Sequence, residues 1–391
     1  MITVLHSCPN WLPITEIWVY NQIRYLPKEI ENHIVCENTV NLNQFSLPNI
    51  HSLSDTPRWR YLLERSLRQL RIQNHLPFAV ETAKQHSVDI LHSHFGNVGW
   101  FNIEVAKQAQ LKHIVTFYGY DVNSIPKRYP HWLKRYHSLF EQIDGVLCEG
   151  SHMAECIAKL GCPRDKIRVQ HLGVAVDEIA FQPRVWNPTE PLRVLIAASF
   201  REKKGIPYAL EALGRFQQQT PLEITIVGDA SSDAKSQAEK QKILATIEQY
   251  NLQSKVRLLG YQPHAVFLAE AYQHHVFLSP SVTASDGDTE GGAPVGIIEM
   301  AATGMPLIST KHCDIPEVIQ DGVTGLLAAE TNVDELINHL QWLVNHPQEW
   351  GKMLEAGRKR VELEYNAQLQ GEKLGNIYQE IISNISGNCR C

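Results

Sequence analysis

Short apolar runs alternating with longer helical patterns are the feature of this 391-residue chain that most restricts its fold. Runs such as ITVLHS (2–7), DILHSHF (89–95) and LEITIVGD (222–229) are short and largely apolar, which is typical of buried strands. Segments of helical period separate them. Because parallel strands need crossover connections, this alternation predicts parallel sheets covered by helices on both faces.

The pattern restarts after a polar, proline-marked stretch, QPRVWNPTEP (182–191). We therefore predict an α/β protein with two tandem doubly wound, Rossmann-like domains, 1–185 and 186–370, and a C-terminal tail or helix, 371–391, that packs back on the first domain. Ligands of open α/β sheets bind at the carboxyl ends of the strands. Two such domains facing each other predict a site in the cleft between them.

Composition excludes several classes of function. A net charge of −6 gives no reason to expect nucleic acid as a partner. The start MITVLHSCPN lacks a basic region followed by an apolar one, so we expect no secretion signal and a cytoplasmic protein. No apolar run approaches a membrane span in length. The scattered cysteines are expected to be free thiols, and the terminal CRC (389–391) is expected to bind no metal.

The segment DTEGGAPVGIIEMAATG (288–304) is the most informative. Pro294 suits the start of a helix, and Gly291 and Gly292 predict a turn whose N–H groups face an anion or a sugar hydroxyl. Glu299 lies about a turn and a half into that helix among apolar residues, where an unpartnered carboxylate is costly. Its partners are expected to be ribose hydroxyls; the alternative is a buried Glu that caps a neighbouring strand.

A second segment, SFREKKGIPYALEAL (199–213), leaves a strand with basic residues and enters a helix. Lys204 first and Arg201 second are candidates for a diphosphate site at the helix N-terminus, although a solvated basic loop is the ordinary alternative. Gly228 ends another strand and lets a ligand approach the backbone. The spacing G-x-G-x-x-G is absent there, and the chain has no P-loop.

Two further groups of residues follow strands in the N-terminal half. His92 and His94 lie two apart and share a face, but a metal site needs at least one more ligand. Tyr118, Tyr120 and Asp121 come after the next strand, where tyrosines either stack on sugars or pack internally. In the C-terminal half, the acidic pair of DGD (286–288) is weak evidence for a divalent cation, and a solvated turn is favoured.

The segment PRWRYLLERSLRQLRIQ (57–73) combines arginines with apolar residues at helical spacing. An ordinary amphipathic surface helix is the favoured interpretation. The functional alternative is docking to an anionic membrane, which would place the protein at the inner face of the cytoplasmic membrane.

Several of these motifs together resemble a known family. They are GSHMAECIAKLGCPRDKIRVQHLGV (150–174), SFREKKGIPYALEAL, ITIVGDA (224–230), VFLSPS (276–281), EGGAPVGIIEMAATGMPLIST (290–310) and IPEVIQDGVTGLL (315–327). On these the chain resembles a retaining glycosyltransferase of family 4 with the GT-B fold. Through HSHFG, TFYGYD and DGDTEGG it is most similar to members that assemble bacterial exopolysaccharides and glycolipids.

The resemblance implies transfer of a hexose from a nucleotide diphosphate sugar, UDP-linked, to a hydroxyl of a glycan, glycolipid or small molecule. It implies retention of anomeric configuration, no metal and no other cofactor, with the acceptor on the first domain and the donor on the second. The family's pair of glutamates maps onto Glu290, for the transferred sugar, and Glu299, for the ribose. The implied donor contacts also include Gly291, Gly292, Ala293, Pro294, Gly228 and Ser199, and Lys204 and Arg201 act on the diphosphate.

The chain also departs from the family pattern. Eight residues rather than seven separate the two glutamates, and Ser199 stands where the family usually has an arginine, for which Arg201 is the possible substitute. Tyr118 replaces a histidine. In place of the family's N-terminal glycine-rich loop stands WLPITEIW (11–18). The implied contacts on the acceptor side are Thr15, Glu16, His94, Tyr118, Tyr120 and Asp121.

The implied mechanism is front-face attack without a protein nucleophile, in which positive groups stabilise the charge that grows on the leaving diphosphate. Four alternatives remain: a degenerate, non-catalytic subunit that binds sugar nucleotides, a nucleotide-sugar epimerase, a phosphorylase and an exported sugar-binding protein. A phosphorylase needs a lysine for pyridoxal phosphate, which we cannot place.

Overall fold

The computed structural model describes residues 1–13, 16–70 and 72–383. These residues form two compact units. The first comprises Met1–Gly173 together with the segment that starts at Ala367, and the second comprises Val174–Asn366.

The strands and helices of the first unit alternate along the chain. Its strands are β1 (Ile2–Ser7), β2 (Asn10–Trp11), β3 (Ile30–Cys36), β4 (Asn38–Thr39), β5 (Ile50–Ser52), β6 (Ile90–His94), β7 (Lys112–Thr116), β8 (Gly145–Cys148) and β9 (Ile167–Val169). Its helices up to the unit boundary are α1 (Ile17–Arg24), α2 (Arg58–Gln69), α3 (Pro77–Gln85), α4 (Gly96–Ala109), α5 (Ile125–Arg128), α6 (His131–Gln142) and α7 (Ser151–Lys159).

The second unit repeats the alternation. Its strands are β10 (Leu192–Ala197), β11 (Leu222–Val227), β12 (Val256–Gly260), β13 (Val276–Ser279), β14 (Leu307–Thr310) and β15 (Leu326–Ala328). Its helices are α8 (Ile206–Phe216), α9 (Ala234–Gln249), α10 (His264–Ala271), α11 (Val295–Thr303), α12 (Ile315–Val318), α13 (Val333–Asn345) and α14 (Trp350–Glu364). The chain then returns to the first unit as α15 (Ala367–Ser383).

Each unit is built on one large parallel sheet, and β2 and β4 of the first unit pair separately. The first has the order β5-β3-β1-β6-β7-β8-β9 and the second the order β12-β11-β10-β13-β14-β15. In both, the chain begins near the middle of the sheet, builds one half and then crosses to the other. This is the doubly wound arrangement that the sequence predicts, and its switch points lie at β1/β6 and β10/β13.

Alternation along the strands produces a core on each face of a sheet. In β10, Val194 and Ile196 pack with the helices on one face, whereas Leu195 packs on the other with Phe277 and Ile297. In the first unit, α15 supplies one of these layers, because its Leu374, Tyr378 and Ile381 pack against apolar residues of the central strands.

The unit boundary lies earlier than the position 185/186 inferred from the polar stretch. Val174, Val176 and Ile179 are buried in the core of the second unit. The polar stretch 182–191 also packs on the second unit, because the backbone N–H of Gln182 donates to the Thr303 carbonyl and Arg184 is buried. Burial of these side chains, which polarity did not reveal, moves the boundary to Gly173/Val174 and the final return to Ala367. Among the described residues, no helix is both long and apolar enough to cross a membrane.

Candidate active site

Two adjacent strands of the second unit place the central pair of the candidate site. β10 and β13 are parallel neighbours, so the loops after them leave from the same edge of the sheet. The first loop carries Lys204, and the second carries Glu290. Lys204 Nζ donates to Glu290 Oε2 at 2.7 Å, and Ser281 Oγ donates to Glu290 Oε1 at 2.7 Å. Sequence reasoning selected both charged residues but not their pairing.

The Lys204–Glu290 pair is well shielded from water. Side-chain exposure is 18% for Lys204 and 6% for Glu290. Burial alone raises the pKa of the Glu290 carboxyl, but the positive charges of Lys204 and Lys203 and the hydrogen bonds from Lys204 and Ser281 bring it below its ordinary value. Glu290 is therefore an ionised carboxylate at neutral pH, and both of its oxygens accept strong hydrogen bonds.

A histidine that the sequence did not indicate fixes the backbone at Glu290. His312 follows β14, and its Nε2 accepts from the Glu290 N–H at 3.1 Å. Its Nδ1 lies 2.7 Å from Glu330 Oε1, so the Nδ1–H donates to that carboxylate. A polar residue directly after a strand that ends at the same edge of the sheet was the signal that could have identified His312.

Glu299 has a protein partner that compensates for the burial of its carboxylate among apolar residues. It is 5% exposed in α11, and its Oε1 lies 2.7 Å from Nε2 of His264, the first residue of α10. Burial lowers the pKa of His264, but the hydrogen bond and the charge of Glu299 raise it above its ordinary value. In the part of the chain that the structure describes, Oε2 of Glu299 has no hydrogen-bond partner. A ligand can therefore still bind this carboxylate.

The glycine turn before α11 is more closed than the sequence suggests. Gly291 and Gly292 are buried, and the Gly291 N–H donates to Thr289 Oγ1 at 3.2 Å. Within residues 72–383, the N–H groups of Gly292 and Ala293 have no hydrogen-bond partner. Pro294 directly precedes the first turn of α11. Unpaired N–H groups at a helix N-terminus form a site for an anion or a hydroxyl oxygen.

Two glycines allow close backbone approaches at this edge of the sheet. Gly205 has φ +63°, and a Cβ there would lie 1.9 Å from the Pro280 carbonyl oxygen. Gly228 has φ +123°, and a Cβ there would lie 1.9 Å from the Ala198 carbonyl oxygen. The loops after β10, β11 and β13 therefore lie closer together than any other residue would allow.

Arg201 does not join the Lys204–Glu290 pair. Its guanidinium lies 3.1 Å from Asp233 Oδ2, and both side chains are more than 40% exposed. The second cation at the pair is Lys203, whose Nζ donates to the Thr289 carbonyl oxygen at 2.8 Å. Ser199 is half-buried in the same loop.

The two carboxylates of DGD each lie against a lysine. Asp286 pairs with Lys235, and Asp288 Oδ2 is 3.4 Å from Lys203 Nζ. Both charges are thus compensated by protein cations.

In the first unit, a buried histidine network surrounds His94. His94 Nδ1 is 2.6 Å from the Tyr118 hydroxyl, and His94 Nε2 is 3.2 Å from His6 Nδ1. His92 lies beside it, as the strand spacing predicts, and bonds to Thr116 Oγ1 at 2.6 Å and the Tyr378 hydroxyl at 2.7 Å. His6 supplies the third imidazole that the sequence did not identify.

The residues around Tyr118 differ in their roles. Asp121 is fully buried and accepts from the backbone N–H groups of Gly96 and Tyr118, so it holds the loop after β7. Burial raises the pKa of its carboxyl to about 6.

Tyr120 is 48% exposed. Burial raises the pKa of Glu16 to about 7. Thr15 lies outside the described residues.

Two donors on α1 were not selected from the sequence. Trp18 Nε1 and Gln22 Nε2 are buried and have no hydrogen-bond partner among the described residues. They are four residues apart, and therefore share a helix face. Trp18 packs near Tyr118, with ring centroids 6.2 Å apart, and the Tyr118 hydroxyl lies 3.3 Å from Gln22 Oε1. Unpaired buried donors next to a tyrosine hydroxyl can bind the oxygens of a polar ligand.

Two family models match the chain and together span most of it. Residues 178–360 match the model described as glycosyl transferases group 1, and residues 15–178 match glycosyltransferase family 4. The boundary between the matches falls close to the boundary between the two units.

Two curated relatives show similarity over most of their length. The putative colanic acid biosynthesis glycosyltransferase WcaL of Escherichia coli is 31% identical over 309 residues, covering 77% of this chain and 73% of WcaL. The amylovoran biosynthesis glycosyltransferase AmsK of Erwinia amylovora is 31% identical over 301 residues, covering 76% of this chain and 72% of AmsK.

Solved structures share the fold at low sequence identity. A glycosyltransferase from Rickettsia africae has a TM-score of 0.74 at 18% identity, covering 98% of this chain and 99% of the other. The Anabaena protein Alr3699/HepE in complex with UDP has a TM-score of 0.77 at 15% identity, covering 97% of this chain and 100% of HepE.

Proposed function

The chain belongs to the glycosyltransferases of group 1, and from this premise we propose that it transfers a hexose from a UDP-linked sugar to a hydroxyl of a glycan or glycolipid. The transfer retains the anomeric configuration and uses no metal at the donor diphosphate. The observation that carries the proposal is the buried Lys204–Glu290 pair beside the unpaired N–H groups that precede α11.

These groups supply the positive charge that the reaction needs. As the bond to the sugar breaks, negative charge grows on the leaving diphosphate. Lys204 has three N–H donors and uses one on Glu290, so the others remain for phosphate oxygens. Lys203 and the N-terminus of α11 add to the same field. Fixed positive groups of this kind stabilise the transition state without a divalent cation.

The two glutamates take different parts of the donor. Glu299, whose Oε1 is held by His264, presents Oε2 to the ribose hydroxyls. Glu290, fixed through its carboxylate and its backbone N–H, contacts the transferred sugar. The UDP moiety is proposed because HepE, which shares the fold, was solved with UDP and with UDP-glucose.

The environment of Glu290 favours front-face attack. A carboxylate is a weaker nucleophile when a neighbouring positive charge and hydrogen bonds stabilise its ionised form. Both oxygens of Glu290 already accept hydrogen bonds, from Lys204 and Ser281. In the proposed reaction, the departing phosphate oxygen takes the proton of the acceptor hydroxyl, and no protein side chain bonds to the sugar.

The acceptor is proposed to bind the first unit near Tyr118. Trp18 and Gln22 offer buried donors there, and Glu16 offers a carboxyl group. The named relatives are glycosyltransferases of colanic acid and amylovoran biosynthesis, which favours a growing exopolysaccharide as the acceptor.

The decisive test measures donor binding and stereochemistry together. UDP-glucose, UDP-galactose, GDP-mannose and ADP-glucose are titrated by calorimetry in the presence of chelator, and the linkage formed is assigned by NMR. We expect binding of UDP sugars only, and an α-linked product from an α-linked donor. A β-linked product, or activity abolished by chelator and restored by Mn²⁺, would overturn the retaining, metal-free reaction.

We also propose that α2 docks the enzyme on an anionic membrane. Several apolar side chains of α2 and of the residue that follows it face solvent: Trp59 is 67% exposed, Leu62 51%, Leu63 50% and Leu70 70%. They share one helix face. Glu64 is the buried residue of this helix, and Arg60 pairs with it. The sequence favours an ordinary amphipathic surface helix, and the exposure of these apolar side chains supports the docking alternative. Arg71 lies outside the described part of the chain.

Vesicle binding tests this docking. We expect the chain to co-float with vesicles of phosphatidylcholine and phosphatidylglycerol, with a blue shift of Trp59 fluorescence. The variant Leu62→Ser/Leu63→Ser should lose binding, whereas Leu363→Ser, which changes an exposed leucine of α14, should not. Self-association that depends on Leu62 and Leu63, without vesicle binding, would assign the face to a second copy and overturn the proposal.

A further inference from the structure

Three histidines converge at the edge of the first unit's sheet. His33 lies in β3, His51 in the edge strand β5, and His86 directly after α3. Each ring offers one nitrogen, and these nitrogens all lie within 4.8 Å of one another. The His86 ring centroid is 4.3 Å from that of His33 and 4.7 Å from that of His51. None of the three residues belongs to the donor or acceptor sites described above.

The spacing of the three rings suits a single metal ion. Nitrogens bonded to one tetrahedral Zn²⁺ at about 2.0–2.1 Å lie roughly 3.4 Å apart. Here His33 Nδ1 and His51 Nε2 are 2.9 Å apart, and the widest separation in the trio is below 4.8 Å. Small side-chain rotations bring the three nitrogens to bonding distance. We propose that His33, His51 and His86 form a binding site for one Zn²⁺.

Glu31 sets the orientation of the most buried ligand. Its Oε1 lies 3.3 Å from His33 Nε2, so the carboxylate accepts the Nε2 proton. The lone pair of His33 is then on Nδ1, which faces His51. A carboxylate that accepts from the far nitrogen of a ligating histidine is the usual support of a zinc ligand.

The environments of His33 and His51 favour the neutral form of each ring, which is the form that binds a metal. Burial lowers the pKa of His33, and the neighbouring His86 lowers it further, although Glu31 opposes this. Burial also lowers the pKa of His51, with smaller contributions from His86 and His33. Neutral imidazoles have a lone pair available for a metal.

The second histidine trio of the same unit provides a contrast. In the trio of His6, His92 and His94, every ring is fully buried and both nitrogens of each ring have hydrogen-bond partners. By contrast, within the described residues His86 has no hydrogen-bond partner for either nitrogen, and His86 and His51 are half-buried. A metal ion can therefore reach the trio at the sheet edge.

A bound ion would connect three separate elements. It would join the short edge strand β5 to β3 and both to the end of α3, and so stabilise the first unit more as the free metal concentration rises above the Kd. With three protein ligands, a water molecule completes the tetrahedron. The site lies outside the donor residues, so the proposal does not depend on the chemistry at the diphosphate.

Calorimetry and thermal unfolding with Zn²⁺ test the site on the full-length chain without an affinity tag. All variants carry Cys389→Ser and Cys391→Ser, which remove the terminal thiols as competing ligands. We expect one Zn²⁺ per chain, a rise in Tm with Zn²⁺, and intense visible bands from tetrahedral Co²⁺. His86→Gln should weaken the affinity by about 100-fold or more, and Glu31→Gln by about 10-fold.

Two comparisons separate metal binding from misfolding and surface adsorption. His131→Gln, which changes an exposed histidine of α6, should bind Zn²⁺ as the parent chain does. In chelator, His86→Gln should have the circular dichroism spectrum and Tm of the parent. Absence of stoichiometric binding at micromolar Zn²⁺, or binding that survives both His86→Gln and His51→Gln, would overturn the proposal.

Discussion

Replacing Lys204 with methionine removes the charge that compensates Glu290 while keeping most of the apolar stem. Glu290 is 6% exposed and would then be a buried carboxylate whose remaining side-chain hydrogen bond comes from Ser281. Breaking a buried ion pair from one side costs roughly 3–5 kcal/mol. Lys204 is 18% exposed and Lys203 stays nearby, so we expect the lower value, about 3 kcal/mol at pH 7. This corresponds to a fall of roughly 6–12 °C in the Tm of the second unit.

The loss of stability should depend on pH in a defined direction. In the native chain the pKa of Glu290 is lowered, so its contribution is fully present above the unfolded pKa and is lost as the pH falls through the folded pKa. Without Lys204, burial dominates and raises the pKa of Glu290 in the folded state, so the variant loses stability as the pH rises. The difference between the two proteins should therefore be large at neutral pH, shrink as the pH falls through the raised pKa of Glu290 in the variant, and be small below about pH 4.3, the ordinary value for Glu.

Urea unfolding from pH 4 to pH 8 measures this difference, and Lys235→Met is the matched control. Lys235 pairs with Asp286 at the surface, with side-chain exposures of 67% and 44%, and its loss should cost less than about 1 kcal/mol. Turnover of Lys204→Met should fall by about 10²–10³-fold. A cost below about 1 kcal/mol at pH 7, or a cost that is the same at pH 4, would refute the assignment of a buried compensating pair.

Three further predictions concern other parts of the site. Glu299→Ala should weaken UDP binding roughly 10–100-fold in calorimetry. His264→Gln should weaken it less, because the Glu299 carboxylate remains. Equal UDP affinities of the parent chain and both variants would contradict the role of Glu299 at the ribose. Gly228→Ala should lower the free energy of unfolding by more than about 2 kcal/mol, since the new Cβ meets a carbonyl oxygen at 1.9 Å, whereas Gly351→Ala, with open space, should not. Burial raises the pKa of Glu16 to about 7, so its carboxylate form becomes populated as the pH rises through that value. This form can accept a hydrogen bond from the hydroxyl of the acceptor sugar. Acceptor kcat/KM should then rise through about pH 7 and become flat in Glu16→Gln; an unchanged profile would exclude this contact.

The sequence was a good guide to the class of fold and to the family. Alternation of strands and helices predicted two doubly wound α/β domains, and the structure and its likeness to solved glycosyltransferases confirm that fold class. The motifs identified a glycosyltransferase of exopolysaccharide assembly, and the family models and relatives confirm the family and the transferase activity. Retention of configuration, independence from metals and the roles of individual site residues stay predictions.

The sequence did not identify the polar partners that complete the site. His264 and His312 lie 35 and 22 residues away along the chain from the glutamates that they contact. The residues next to them in the sequence form no recognisable motif. Their contacts with the glutamates depend on which strand ends are adjacent in the sheet. For the same reason, the sequence predicts Arg201 as a second diphosphate ligand but does not reveal its ion pair with Asp233.

Local physical chemistry is what the sequence determined by itself. Side-chain periodicity fixes strands and helices, glycine and proline fix turns, and the cost of burying an unpaired charge shows that Glu299 must have a partner. Tertiary structure alone decided which partner it has, which ammonium compensates Glu290, and that three histidines from β3, β5 and the end of α3 meet at one edge. Those contacts depend on the order and register of parallel strands, which long-range packing sets and no local pattern in the sequence encodes.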